Sequence, residues 1–342
     1  MLVALKLGRR TAALSFIPIF VFLAFRYDYG NDYRGYLDTF NEIASLATMD
    51  YDSQRWHAEI GWLLLNRAFS DLGFFLMIAC LAAFNCYVYV RFITKFVQPR
   101  YYWLAIFFYL VVPENMLVQS SAMRQAVAIS IFLVAIDYII QRRFFRYFFC
   151  IALAGAFHTS ALLLLPAYLL GSAKIELKRK YIPLFLMTFV GILVLANELK
   201  ALLGGVIALV AERYSVYEDD GGVLSSGLGL VFTALNLAII LWFHDGQDFR
   251  GRVLMRLALA GILIVPMASA LMMLARLAFY FDIVSIAVIP LVAAGIRSLP
   301  LRILYVSLNA MFATYKYWQF FQAPVWRDYF TNYSTVFSVP YN

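Results

Sequence analysis

A succession of apolar stretches, separated by short polar segments, limits the folds that this chain can adopt. The 342 residues are 63% hydrophobic and only 14% charged, whereas soluble domains are usually about half apolar. A soluble core could not cover this much apolar surface, and about 20 consecutive apolar residues cross the hydrocarbon of a membrane as a helix. The sequence therefore predicts an all-α, polytopic integral membrane protein in which residues 1–342 form a single transmembrane domain.

Hydropathy predicts about eleven membrane helices, within a range of ten to twelve. They lie near residues 11–25, 72–90, 101–113, 122–140, 145–158, 159–172, 181–197, 228–243, 253–274, 277–296 and 300–321. Several are shorter than the length that normally spans a bilayer. The pair 145–158 and 159–172 predicts either a full hairpin or a broken re-entrant element, which a membrane protein tolerates where the backbone is buried against protein.

The distribution of charge predicts the orientation of the chain. If the N-terminus is cytoplasmic and the helices alternate, most of the 28 lysines and arginines fall on the inner side. Most of the 20 acidic residues then fall on the outer side. This is the positive-inside asymmetry of membrane proteins, and it accounts for the net charge of +8 without nucleic acid as a partner.

Two outer segments are long enough to fold. The first outer loop covers residues 26–58, and Glu59-Ile60-Gly61 begins an amphipathic stretch after it that suits the membrane interface. The second large outer loop covers residues 197–227, and we expect it to contain an amphipathic helix.

Two unusual polar residues lie at the two ends of a predicted helical hairpin. Arg124 begins one span and His158 ends the next, and the basic turn 141–143 separates them. A helix rises roughly 1.5 Å per residue, so both lie about one membrane thickness from that turn and return to the same side. Ionisable residues at the edge of the hydrocarbon are costly, and their default interpretation is functional.

Further charged residues belong to the same predicted outer boundary. Arg276 interrupts an apolar run, with Tyr280 on the same helix face. Arg26, Asp28 and Asp32 form a cluster directly after the first helix.

Each of these residues also has a purely structural interpretation. Arg276 could reach lipid phosphates with its long side chain, and Arg124 could pair with Glu114. His158 could cap a helix, and the aspartates could be ordinary solvated loop residues.

Arginines and a histidine on the outer face suit chemistry at a lipid-linked phosphate. The guanidinium fork matches phosphate or diphosphate oxygens and keeps its charge. Fixed cations stabilise a diphosphate leaving group as negative charge develops on it, and an imidazole or a carboxylate can deprotonate an acceptor hydroxyl. The sequence has no Gly-rich phosphate loop and no carboxylate set with clear metal spacing. We therefore expect no metal site, and a lipid-linked sugar as donor rather than a soluble nucleotide sugar.

The arrangement of these residues resembles the Wzy-like polysaccharide polymerases of the EpsG family. The specific part is Arg124-Gln125 followed, one hairpin later, by Phe157-His158-Thr159-Ser160-Ala161-Leu162. The weaker parts are Asp28 with Asn31-Asp32-Tyr33, then Glu59-Ile60-Gly61, Arg276 with Tyr280-Phe281, and Pro340-Tyr341.

The resemblance implies a glycosyltransferase of the bacterial inner (cytoplasmic) membrane with a C-type glycosyltransferase-like active site on the periplasmic or outer face. Such an enzyme moves a growing glycan from polyprenyl diphosphate to the non-reducing end of a polyprenyl-diphosphate-linked repeat unit. It implies no cofactor, and its partners would be the lipid-linked donor and acceptor, membrane lipid and a chain-length regulator protein.

The resemblance also implies roles for individual residues. Arg124 and Arg276 would bind the diphosphate. His158 would be the catalytic base or a donor that orients the diphosphate, with Asp28 or Asp32 as the competing base. The weaker predictions for substrate binding are Arg26, Gln125, Glu59 and Tyr280.

Two other functions stay open at this point. The first is another lipid-linked-sugar glycosyltransferase or an O-antigen ligase-like enzyme, including a metal-dependent one that would use Asp28 and Asp32. The second is a lipid-linked oligosaccharide transporter (flippase), which would favour charges near the membrane midplane and two repeated halves.

Overall fold

Helices make up almost all of the computed structural model, which describes residues 8–46, 56–171, 175–196, 198, 227–268 and 272–338. The α-helices in the first half are α1 (Arg9–Ala24), α2 (Tyr33–Ser45), α3 (Ile60–Phe69), α4 (Phe74–Phe96), α5 (Tyr102–Val111), α6 (Leu117–Ser121), α7 (Met123–Ile140) and α8 (Phe144–Phe157). Those in the second half are α9 (Ile182–Val194), α10 (Gly227–His244), α11 (Phe249–Ala268), α12 (Met272–Asp282), α13 (Ser285–Gly295), α14 (Leu299–Gln322) and α15 (Pro324–Phe330). Three 3₁₀ segments cover Pro99–Tyr101, Thr159–Gly171 and Arg179–Tyr181.

Four of the described helices are long and apolar enough to cross a membrane. They are α4, α7, α10 and α11, and a fifth crossing results if the bent pair α12 and α13 is counted as one span. The chain is thus an all-α membrane protein, while the count of about eleven spans and the orientation stay predictions. The shorter apolar helices include α8 and the 3₁₀ segment Thr159–Gly171.

Helix α7 lies at the centre of the bundle. In its most apolar window 78% of the residues are buried, against 44% for α4 and 22% for α10. It carries no Pro or Gly, and its small and branched residues allow close packing on several sides. The helix that carries Arg124 in its first turn is therefore packed against its neighbours over most of its surface.

The predicted hairpin forms between α7 and α8. The turn is closed by Arg142, whose φ of 56° reverses the chain, and by hydrogen bonds from Arg142 N to Ile139 O and from Arg143 N to Tyr138 O. Helix α8 packs along α7 over its length. The two ends of the hairpin that carry Arg124 and His158 consequently lie together.

Two of the predicted spans are not continuous α-helices in the structure. The span predicted over 277–296 is bent in the structure, because α12 and α13 meet at a break with a bend of 46°. There Val284 N bonds Phe281 O and Ala287 N bonds Val284 O, so three-residue turns replace the α-helical ladder. The segment predicted over 159–172 is a 3₁₀ helix as far as Gly171, with Pro166 inside it, whose ring removes one backbone donor.

A short antiparallel ladder joins the two ends of the described chain. Strand β1 (Arg26–Tyr27) pairs with β2 (Ser334–Thr335), with Arg26 opposite Thr335. Nearby, Gly30 N donates to Tyr329 O at 3.1 Å. The C-terminal segment therefore lies on the first part of the predicted first outer loop.

Two sequence predictions fall on residues that the structure does not describe. The amphipathic helix of the second outer loop falls within 197–227, of which only residues 198 and 227 are described. Pro340-Tyr341 also lies outside the described residues.

Candidate active site around Glu59

The side chain that gathers the candidate site is Glu59, which precedes the first turn of α3. Its Oε2 accepts a hydrogen bond from Arg124 Nη1 at 2.7 Å, and its side chain is only 11% exposed. The same Arg124 nitrogen donates to His57 O at 3.0 Å. The start of α3 and the start of α7 are thus joined by an ion pair.

The other oxygen of Glu59 faces the break after α8. Its Oε1 accepts from Thr159 N and from Thr159 Oγ1, both at 3.2 Å. His158 Nδ1 lies 3.5 Å from the same oxygen. One carboxylate therefore contacts an arginine from one arm of the hairpin and a histidine from the other.

Local backbone structure explains why His158 faces Glu59. Helix α8 ends at Phe157, and His158 adopts an extended conformation with φ of −155°. Its N–H still bonds Ala154 O, and its carbonyl accepts from Ala161 N as the 3₁₀ segment begins. The imidazole is buried, and neither ring nitrogen makes a hydrogen bond with another described residue.

Close packing of α3 against α8 fixes the height of Glu59. A Cβ at Gly61 would lie 2.7 Å from Ala156 O and 3.0 Å from Ala156 C. Any larger residue would push the two helices apart, so the close approach depends on glycine here.

Arg276 and Asp32 complete the group. Gln125 Nε2 donates to Arg276 O at 2.8 Å, which fixes the backbone of α12 beside the first turn of α7. The charges of Arg124 and Arg276 both act on His158 and on Asp32. The structure thus brings together Arg124, His158 and Arg276, which are far apart in sequence.

Burial and charge set the protonation of the two carboxylates. Burial would raise the pKa of Glu59, but His158 and the positive charge of Arg124 outweigh it and hold this pKa at about 2. Burial raises the pKa of Asp32 above its ordinary value, and the positive charges of Arg276 and Arg124 offset only part of that effect. Glu59 is therefore ionised at neutral pH, and the carboxylate of Asp32 is more basic than that of an ordinary aspartate.

Two contacts of the site concern tyrosines. The ring of Tyr36 in α2 lies 5.9 Å from the Arg124 guanidinium carbon, a cation–π distance. Sequence reasoning missed this residue, since no local pattern distinguishes it from the other tyrosines of the first loop. Tyr280, which the sequence did single out, lies 3.3 Å from Ser160 Oγ through its hydroxyl.

Other predicted site residues have different surroundings. Asp28 pairs with the exposed Arg34. Arg26 is buried and bonds the carbonyls of Leu23 and Ser120. The alternative pairing of Arg124 with Glu114 is wrong, because Glu114 pairs with Lys316 at 2.6 Å.

No metal-binding group forms part of this site within the described ranges. There, no set of three or more His, Cys, Asp or Glu side chains is close enough to hold a metal ion.

Comparison with known proteins places this geometry in a context. The chain matches the model of the EpsG family over residues 10–335, nearly its whole length. That match supports a multi-pass membrane enzyme of a glycosyltransferase-type polysaccharide polymerase family. No curated protein and no solved structure matches the chain.

Proposed function

Because the chain belongs to the EpsG family, we propose that it extends a polysaccharide on a lipid carrier. It transfers a growing glycan from polyprenyl diphosphate to the non-reducing end of a polyprenyl-diphosphate-linked repeat unit. The observation that carries this proposal is the meeting of Arg124, His158 and Glu59 in one contact group, with Arg276 close enough to act on it.

Arg124 and Arg276 bind the diphosphate of the donor. A guanidinium holds phosphate oxygens in a bidentate geometry and stays charged throughout the reaction. In this structure Glu59 occupies one Arg124 nitrogen and leaves the side chain 26% exposed. The diphosphate adds to the exposed side of Arg124, while Glu59 fixes the direction of its fork.

The transfer step needs a leaving group and a base. The bond from the donor sugar carbon to the diphosphate oxygen breaks, and its electron pair stays on the diphosphate, where the two arginines stabilise the charge. The acceptor hydroxyl oxygen bonds the same carbon and loses its proton to a base.

Asp32 is the better placed of the two first-loop aspartates for the base. Asp28 is held by Arg34, whereas Asp32 lies in the field of both site arginines and has a pKa that burial raises. His158 is buried with Nδ1 facing the Glu59 carboxylate. The negative charge of a bound diphosphate favours the imidazolium form of His158, whose Nδ1–H then faces Glu59 while Nε2–H donates to the diphosphate and orients it. Asp32 and His158 then both act in the site, each with a different role.

The proposed location follows from charge and lipid chemistry. The positive-inside rule puts the turn between α7 and α8, with Arg142 and Arg143, in the cytoplasm. The opposite end of that hairpin, with Glu59, then faces the outer side of the bacterial inner membrane. Donor and acceptor both reach the site from the membrane, and a chain-length regulator would contact the same protein.

Three single substitutions test the site. Arg124→Ala, His158→Ala and Arg276→Ala are each expected to leave the protein inserted while lipid-linked single repeat units accumulate and long polymer disappears. Arg327→Ala is the control, because Arg327 is an exposed arginine of α15 paired with the neighbouring Asp328. Long polymer of normal length distribution from all three site variants would contradict the proposal.

An assay with purified protein distinguishes a polymerase from a ligase and from a transporter. Incubation with lipid-linked repeat units is expected to give a ladder of longer lipid-linked products, unchanged by a chelator. Transfer only to a different lipid acceptor would indicate a ligase, and movement of substrate across vesicles without new glycosidic bonds would indicate a transporter. Asp32→Asn tests the base: it should lower kcat and leave donor KM nearly unchanged, whereas His158→Gln should raise donor KM.

A further inference from the structure

A small cavity lies beside the end of α1, apart from the contacts of Glu59. It occupies about 20 Å³, room for about one water-sized sphere. Its polar wall is formed by Arg26, Asn85, Tyr109, Gln119 and Ser120.

The guanidinium of Arg26 is the unusual group in that wall. Arg26 is only 5% exposed. Its Nη1 donates to Leu23 O and its Nη2 to Ser120 O, the latter at 3.0 Å, while Nε has no hydrogen-bond partner among the described residues. Both partners are neutral carbonyls. Burial lowers the pKa of Arg26 only to about 10, so the side chain is cationic at neutral pH.

Two of the side-chain oxygens on the wall already accept a hydrogen bond. Asn85 Oδ1 accepts from Ser130 at 2.8 Å, and Gln119 Oε1 accepts from Tyr89 at 2.7 Å. The Asn85 amide nitrogen and Arg26 Nε are consequently donors at the cavity. A cavity lined by donors favours an anion over a cation.

Helix α7 adds to this preference. Met123 and Ala126, in the first turn of α7, line the same cavity. That helix end has no side-chain cap, and the N-terminal end of a helix carries partial positive charge.

We propose that this cavity binds one small monovalent anion, of the size of chloride, which neutralises Arg26. An unpaired buried charge is costly, and an anion beside it removes that cost. The volume excludes a diphosphate or a sugar acid, so this site is distinct from donor binding. The bound anion ties β1 to the segment around Ser120, and thereby stabilises the first outer loop.

The test compares anions by thermal unfolding of the full-length protein in detergent. Chloride is expected to raise the Tm of the wild-type protein by a few degrees in a saturable way, relative to gluconate at equal ionic strength, because gluconate is too large for the cavity. Asn85→Asp places a carboxylate at the wall and keeps the oxygen that Ser130 bonds. We expect this variant to be as stable in gluconate as the wild type in chloride, and insensitive to chloride.

Arg26→Met is expected to lose the chloride effect as well, and Arg34→Met, which changes an exposed arginine, to retain it. Crystals grown in bromide should show an anomalous peak beside Arg26 Nε. Equal Tm of the wild-type protein in both salts, or an ordered water with no anomalous signal in the cavity, would overturn the proposal.

Discussion

Replacing Glu59 with glutamine is expected to lower the free energy of unfolding by about 3 kcal/mol at neutral pH. The pKa of Glu59 is about 2 in the folded protein, against 4.5 for the free side chain. Each pKa unit corresponds to about 1.36 kcal/mol, and this difference gives the expected magnitude. The side chain is only 11% exposed, so solvent screening takes away little of it.

The same reasoning fixes how the effect depends on pH. The folded-state pKa of Glu59 is lowered, so its stabilisation is complete above the unfolded pKa of 4.5 and is lost as the pH falls towards 2. Between wild type and Glu59→Gln, the difference in unfolding free energy should be about 3 kcal/mol at pH 7 and less than half of that at pH 3.

The difference in unfolding free energy is measured by unfolding the purified proteins in mixed micelles at several pH values and following the loss of helix by circular dichroism. Glu176→Gln is the matched control, because Glu176 is an exposed carboxylate paired with Lys178 and should change stability by less than about 1 kcal/mol. A Glu59→Gln variant whose stability equals that of the wild type at pH 7, or whose deficit grows as the pH falls, would refute the ion-pair account.

Two further substitutions follow from packing and charge. Gly61→Ala is expected to destabilise the protein by about 1 to 3 kcal/mol and to reduce polymer synthesis, since its Cβ meets the carbonyl of Ala156. Gly191→Ala should do neither, because a Cβ there meets no group of the described residues within 4 Å outside its own helix backbone. Lys316→Met is expected to cost about 2 kcal/mol by leaving Glu114 without its partner, and adding Glu114→Leu should recover most of that loss in the same unfolding assay.

The helical hairpin could be predicted from the sequence because it depends on local information. Two apolar runs of similar length, separated by a basic turn, determine that Arg124 and His158 return to one side. The packing of α8 against α7 brings the two ends of that hairpin together. For Arg276, the sequence shows only an isolated arginine in an apolar run. Its closeness to Arg124 and His158 depends on the tertiary fold and could not be predicted.

The central place of Glu59 could not be predicted from the sequence. Its partners lie 65 and 100 residues away, and no periodicity links such positions. Likewise, Glu114 was expected to compete for Arg124 because it is near in sequence, yet it pairs with Lys316 some 200 residues later. The bend between α12 and α13 also escaped hydropathy, because a break of two apolar residues leaves the average unchanged.

The pairing of Arg26 with Thr335 has a consequence for how the whole chain threads the bilayer. With α1 as a crossing, residues 9 and 335 emerge on opposite sides, and the total number of passes between them must be odd. Eleven satisfies that parity, while ten and twelve do not. Topology reporters fused to the two termini are accordingly expected to be active on opposite sides of the membrane.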